Sequence, residues 1–265
     1  YADYETGKIW SLRYGGKRVI EHRELLQTPL HLSAFGEDND GELYFLAYEG
    51  QIHRLVPAPP TTQPHEFPRK LSQTGLFTST KDHQPAPGLI PYDVNAPLWA
   101  DHALKERFIA LPGDTKIGFQ LESGWDFPDG AVLVKTFSLE LERGNPKSQR
   151  RLETRLLTLQ QGLWRGYTYL WNNEQSDAEL LQASGTNLTY TIRDSHAPGG
   201  LREQAWHFPS RSECILCHTF PSKWVLGLNT LQMNKDHDYG RVTDNQIRTL
   251  EQLGLFTNAP PKPPQ

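Results

Sequence analysis

The sequence has few of the groups on which several common chemistries depend. Its 265 residues include two cysteines and one methionine, so thiol and thioether chemistry is confined to Cys214, Cys217 and Met233. No run of about 18 apolar residues occurs, and no helical membrane span is encoded. Positive charge is not in excess. The net charge is −4 and the pI is near 6.2, which leaves no basic patch large enough to suggest nucleic acid. A glycine-rich phosphate loop, a nucleophile elbow and a His-Glu-x-x-His zinc motif are all missing.

Turn-forming residues, in contrast, are abundant. The 21 glycines and 20 prolines are spread along the chain and favour many short strands over long helices. With 37% hydrophobic and 22% charged residues, the composition suits a soluble globular protein. The chain opens at Tyr1 directly into strand-like sequence. It reads as a fragment or processed piece of a longer polypeptide, with any export signal upstream.

Three textures follow one another. Residues 1–56 read as four short strands: Lys8–Tyr14 and Arg18–Leu25 around Gly15-Gly16, then Glu42–Tyr48 and Gln51–Val56 around Glu49-Gly50. Four strands in about 50 residues is the size of one β-propeller blade. Residues 57–70 are proline-rich and read as an extended inter-domain linker. Residues 71–208 predict a short helix closed by Gly75, then strands over Glu106–Leu111, Lys116–Leu121, Ala131–Glu142, Arg151–Gln160, Trp164–Trp171 and Asn187–Arg193. Such a series suggests an antiparallel β-sandwich. In residues 209–256 the period becomes helical. Ser210 or Ser212 can cap a short helix, and Thr243 with Gln246 forms a capping box ahead of Ile247, Leu250 and Leu253, closed by Gly254. The proline-rich tail, residues 257–265, is predicted to be unstructured.

The two cysteines stand three apart, with His218 directly after them, an arrangement that arises by chance roughly once in several thousand. Residues i and i+3 share a helical face. Both thiols can therefore add to the two vinyl groups along one porphyrin edge while the next imidazole reaches the iron. The motif predicts a covalent haem c on Cys214 and Cys217 with His218 as proximal ligand. A disulfide or redox dithiol and a zinc site are the alternatives. The first usually follows a strand in an α/β pattern, which is not seen here, and the second lacks an obvious third and fourth ligand. Haem attachment and a disulfide alike point to the periplasm or the cell exterior. For the sixth ligand, Met233, 15 residues past His218, is the first candidate. His237, His207, an open site or a ligand outside the chain are the other options.

Other constellations have plainer readings. Gly36–Glu42 has the acidity of a calcium loop but not the register of an EF-hand, and reads as a turn at Asn39-Asp40-Gly41. Trp99, Trp125, Trp164 and Trp171 are expected in the core or in cross-strand pairs. Arg150, Arg151, Glu153 and Arg155 read as a solvated strand face. Lys135 interrupts an apolar strand, so it is expected to be buried or paired, and no role attaches to it.

Tyr4–Trp10, Ser33–Tyr44 and Gln51–Leu55 resemble the last blade of the six-bladed propeller of soluble quinoprotein sugar dehydrogenases. Those enzymes oxidise a sugar or alcohol with pyrroloquinoline quinone (PQQ), usually with calcium. Pro87–Trp99, Trp125–Phe137, Arg151–Leu157 and Glu213–His218 resemble an uncharacterised family of secreted haem-binding proteins, found alone or fused to such propellers. A fainter similarity to P460-type cytochromes, a β-sandwich with the haem motif near its C-terminal end, invites comparison of Lys135 with the lysine that cross-links their haem, but nothing is carried over from it. One blade is present and the quinone-contacting residues would lie mostly on others, so no catalytic residue is carried over.

Together the resemblances imply the electron-transfer portion of a periplasmic or secreted PQQ-dependent dehydrogenase for a sugar or alcohol. Its haem c would deliver electrons to a redox partner protein or another acceptor. Two other functions stay open: a P460-like haem enzyme with an open distal site, and a carbohydrate-binding or sensor module with a structural haem. The expected fold is mainly β: a four-stranded blade-like unit (1–56), a linker (57–70), an antiparallel β-sandwich (71–208), a short helical haem segment (209–256) and a tail (257–265).

Overall fold

Glycine turns and short alternating runs set the architecture. The computed structural model describes residues 1–4, 7–28, 30–48, 50–57, 67–160, 162–258 and 260. Among these residues the chain is mainly β, with several antiparallel sheets, few helices and no closed barrel. No helix among them is long and apolar enough to cross a membrane.

Strands β1 (Lys8–Gly15) and β2 (Arg18–Gln27) form the first expected hairpin. It turns at Gly16, whose φ of 63° is the left-handed conformation that a two-residue loop needs. Strands β3 (Leu32–Glu37), β4 (Leu43–Ala47) and β5 (Ile52–Arg54) form a separate three-stranded sheet. The single four-stranded unit is thus corrected to five strands in two sheets. After Leu32, β3 is mostly exposed and shows no clean alternation, which hid it in the sequence. The end of β2 is tied back towards β1, the Thr28 N–H donating to Gly7 O at 2.8 Å. Ile9, Leu30, Leu32, Phe45 and Ala47 join the two sheets in a small apolar cluster, against which Leu163 packs. Between β3 and β4 the Asn39-Asp40-Gly41 turn is present. Asp38 accepts from the Asp40 and Glu42 N–H groups, both at 2.9 Å, and from the Tyr44 hydroxyl.

Residues 58–66 of the expected linker lie outside the described residues, but its end is docked rather than free. Phe67 stacks on Tyr167 with 3.8 Å between ring centroids, and Pro68 O accepts from the Tyr169 hydroxyl. A 3-10 turn, Leu71–Thr74, closes on Gly75 as predicted, and β6 (Phe77–Ser79) and β7 (Gln84–Pro85) follow. The main sheet comprises β8 (Ile90–Tyr92), β9 (Leu104–Ala110), β10 (Val132–Glu140), β11 (Gln149–Gln160), β12 (Leu163–Trp171) and β13 (Ala178–Leu180). Their order is β13-β12-β11-β10-β9-β8, and every pair is antiparallel. Strands β14 (Thr186–Arg193) and β15 (Leu201–Phe208) make a two-stranded ribbon. The strand expected over Lys116–Leu121 does not form. Ile117 instead exchanges backbone hydrogen bonds with Leu255 and Thr257, and Asn258 bonds both the N–H and the C=O of Phe119. Residues 257 and 258 are therefore fastened, contrary to the expected free tail; residues 259 and 261–265 of that tail lie outside the described residues.

The C-terminal segment holds α1 (Cys214–Cys217), α2 (Thr230–Met233), β16 (Asp236–Asp238), β17 (Thr243–Asn245) and α3 (Gln246–Gln252). The cap of α3 is Asn245, whose side chain accepts from the Ile247 and Arg248 N–H groups. The expected Thr243–Gln246 box is displaced because Thr243 pairs in β17 and Gln246 bonds the backbone of Asp93.

Period-two alternation gives the main sheet two faces. One carries Val134, Leu156, Tyr167, Tyr169 and Trp171 against Leu71 and Phe77. The other is divided. At one end Leu133, Leu157 and Trp164 meet Trp125, Leu228, Leu250 and Phe256. At the other, Phe137, Leu139 and Leu152 meet Ile192, Trp206 and Phe208 of the ribbon. Between these clusters the same face carries Lys135 on β10, directly opposite Arg155 on β11, and Gly166 on β12. The candidate site stands on that stretch.

Candidate functional site

Strand β15 ends at Phe208, and Pro209 turns the chain towards α1. Ser210 sets the entry: its Oγ accepts from the Glu213 N–H at 3.2 Å, while Glu213 Oε2 accepts from the Ser210 N–H at 2.6 Å, a reciprocal cap. One helical turn then holds both cysteines, and the His218 N–H bonds Cys214 O at 3.1 Å. Both thiols are free. The turn rests on β12 at Gly166, where a β-carbon would fall 2.3 Å from Cys214 Sγ; only glycine admits so close an approach. Burial pushes the Cys214 thiol up to about 11, whereas Cys217 is exposed.

His218 Nδ1 lies 2.7 Å from Trp224 O. A carbonyl can only accept, so Nδ1 carries the hydrogen and Nε2 keeps its lone pair. Burial pushes the pKa of this imidazole down to about 4, so it is neutral at ordinary pH, as a ligand must be. The carbonyl is aimed by a tight loop. The Trp224 N–H and Ser222 Oγ both donate to Thr219 O, at 3.0 and 2.9 Å. Lys223 and Trp224 both occupy the left-handed region, with φ of 48° and 66°. Two such non-glycine residues in succession store strain. The loop is held in place by Lys223 bonding Asp126 at 2.7 Å and by Gly124, where a β-carbon would fall 2.4 Å from Ser222 O.

Two cavities, of about 310 and 230 Å³, meet at His218. The larger is also lined by Cys214 and Cys217. Together they fall in the range of cofactor sites, roughly 300–1,000 Å³. Leu98, Phe137, Leu157 and Leu226 line both, as do Lys135 and Arg155. The expected solvated strand face is thereby corrected, since Arg155 points inwards. It bonds Glu153 through Nε at 2.9 Å and Nη2 at 2.5 Å, and Trp206 Nε1 donates to Glu153 Oε1 at 3.0 Å. Glu153 is fully buried, and these three bonds satisfy its oxygens there. Lys135 Nζ has no hydrogen-bond or salt-bridge partner among the described residues and lies 5.0 Å from the centroid of the Phe137 ring. Desolvation, helped by the charges of Arg107 and Arg155, pushes its pKa down to about 7.

Of the residues singled out in the sequence, Cys214, Cys217 and His218 come together on one cavity wall. Met233 does not join them: it is fully buried in the core with Trp125, Leu250 and Phe256. His237 pairs in β16 and packs edge-on against Tyr239, away from the cavity wall. His207 lines the larger cavity, but Asn187 and Glu213 engage its two ring nitrogens. Trp125, Trp164 and Trp171 are buried as expected, whereas Trp99 is 66% exposed at the rim of the larger cavity. Lys135 and Arg155 are the site residues that sequence reasoning left without a role. Two thiols and an unprotonated imidazole nitrogen around a largely apolar space can hold a flat group by two thioether links and one metal bond. A zinc site needs more: among the described residues no group of three or more His, Cys, Asp or Glu is placed to hold a metal ion. No protein-family model, curated protein or solved structure matches the chain.

Proposed function

We propose that this chain is the haem-bearing, electron-transfer portion of a periplasmic or secreted quinoprotein dehydrogenase acting on a sugar or alcohol. One observation carries the haem: Cys214, Cys217 and His218 line a single cavity, with Nδ1 of the imidazole locked to a carbonyl so that Nε2 is the free ligand. When bound, haem c supplies a one-electron redox centre. The chain's own residues do the rest. The two thiols would fix the group to α1, the Trp224 carbonyl holds the imidazole plane, and Leu98, Phe137, Leu157 and Leu226 would give it apolar surroundings. Arg155 would place positive charge beside it, and Lys135 lines the same space. The dehydrogenase half of the proposal is supported only by the likeness of residues 1–56 to a propeller blade. No residue is assigned to PQQ, and Asp38 already spends its carboxylate on its own turn, so none is assigned to calcium.

Export of the chain to the periplasm of a haem-ligating host, followed by mass spectrometry of the peptide spanning 214–218, tests the attachment. A porphyrin adduct on both sulfurs is expected, and its loss in Cys214→Ala and Cys217→Ala. Free or mutually bonded sulfurs would end the reading. A second reading, a haem enzyme with an open distal site, draws support from the position of Met233 away from the cavity. It requires a high-spin spectrum that shifts with cyanide or nitric oxide.

A further inference from the structure

The two cavities behave as halves of one slot. Of the residues common to both, only His218, Lys135 and Arg155 carry nitrogen or oxygen in their side chains. A ring tethered along one edge by Cys214 and Cys217 must bring its centre to His218, and His218 stands on the shared wall. A ring so held would extend along the wall that the two cavities share, where Lys135 and Arg155 are the other side chains that carry nitrogen. Arg155 is ruled out: its guanidinium stays protonated and has no lone pair to give, and Glu153 clasps it. Lys135 has no such partner, and an uncharged amine carries a lone pair. It projects from the middle of β10, a strand pinned on both sides by β9 and β11, which is the rigid footing a metal ligand needs. The nearby alternatives are spent. His207 is held by Asn187 and Glu213, Gln232 Oε1 by the Ala96 N–H, Lys105 by Leu98 O, and Met233 sits in the core.

We infer that Lys135 Nζ is the sixth ligand of the iron, opposite His218. The inference rests on the covalent-haem reading and sharpens it, because it closes the distal side that the second reading needs open.

The test uses ferric holoprotein from a haem-ligating host, read by absorption, electron paramagnetic resonance and near-infrared magnetic circular dichroism. The wild type is expected to be low-spin with a histidine–amine signature. Lys135→Ala is expected to lose the low-spin signal and to bind added cyanide or imidazole faster. Lys135→Met and Lys135→His, which offer a replacement ligand, should return a low-spin signal with a changed signature; a purely structural lysine gives no such rescue. Met233→Leu should match the wild type. A low-spin signal that survives in Lys135→Ala, or disappears in Met233→Leu, overturns the assignment. So does a high-spin wild type, although the haem itself would then stand. If no porphyrin is found on Cys214 and Cys217, the haem reading falls instead. Should Lys135→Ala fail to accumulate, Lys135→Arg keeps the length and charge without a lone pair and carries the same expectation.

Discussion

Behind the cavity, on the opposite face of β10, five side chains form one line of hydrogen bonds. Trp171 Nε1–H can only donate, and it donates to Thr154 Oγ at 3.0 Å. The Glu106 carboxylate can only accept, and His83 Nδ1 lies 3.3 Å from it. In the middle, the Thr154 and Thr136 hydroxyls lie 2.7 Å apart, and Thr136 Oγ lies 2.9 Å from His83 Nε2. Thr136→Val removes the central link and strands the Thr154 hydroxyl and His83 Nε2, in a place where both threonines are fully buried. The expected loss is about 1–3 kcal/mol, read from the urea midpoint, with the haem spectrum unchanged because the line lies on the far face. Gly166→Ala should do the reverse. The added methyl group meets Cys214 Sγ, so covalent haem should fall sharply while far-ultraviolet circular dichroism shows the sheet intact. At this scale the sequence was legible where the chemistry is contiguous: Cys214, Cys217 and His218 lie within one turn. Lys135 and Arg155 were not, because a charged strand residue looks the same whether it faces in or out. What turns Arg155 inwards is Glu153, and that pairing depends on Trp206, from a strand far along the chain. Spacing misled for Met233, because 15 residues past His218 the chain has already entered the core.

Among the elements, the attachment of the C-terminal segment to the sheet turns on Asp93, just after β8. Its carboxylate accepts from Arg107 at 2.8 Å and Lys235 at 2.9 Å. Gln246, fully buried at the start of α3, accepts from the Asp93 N–H and donates to Asp93 O and Met233 O. Gln246→Ala leaves those backbone groups unpaired and should cost about 1–3 kcal/mol. Acid should weaken the same junction. Desolvation raises the Asp93 pKa, but the bonds from Lys235 and the Val94 N–H, with the Arg107 charge, outweigh it and hold the carboxyl below its ordinary value. A depressed folded pKa contributes stability above the unfolded value and loses it as the pH falls through the folded one. The C-terminal segment should therefore loosen below the usual carboxylate range. Because Asp93 is 40% exposed, added salt should blunt the effect. In Asp93→Asn the acid sensitivity of tryptophan fluorescence should shrink; an undiminished response would place the sensitive group elsewhere. Strands bounded by glycine turns and long alternation (β1, β2, β10, β11, β12) were legible in advance. Short strands that exist only through a neighbour, such as β8 and β13, were not. Nor was the true cap of α3, since Thr243 could serve as a cap only if it were not already paired.

For the whole molecule, the mainly-β class followed from the spread of glycine and proline, but the distribution of apolar surface did not. The three clusters around the main sheet are complete within residues 67–256. The N-terminal sheets share a five-residue cluster that meets the main sheet through Leu163, and they leave Tyr14, Val19, Ile20, Ile52 and Val56 between 50% and 70% exposed. A blade by itself cannot bury both faces; in the proposed dehydrogenase these side chains would lie against neighbouring blades. The asymmetry sets an expectation for a chain truncated to begin at Phe67. Little is lost by removing the N-terminal sheets beyond the cover on Leu163, about 1 kcal/mol or less by apolar area. The main unfolding transition should therefore stay close to that of the full chain, and the truncated protein should still take up covalent haem. Exposed apolar side chains at this density favour association, so the full chain should sediment increasingly as oligomers as its concentration rises, and the truncated one less so. If truncation instead collapsed the main transition, the N-terminal sheets would be an integral layer of the fold, and their exposed face would have to be explained without neighbouring blades.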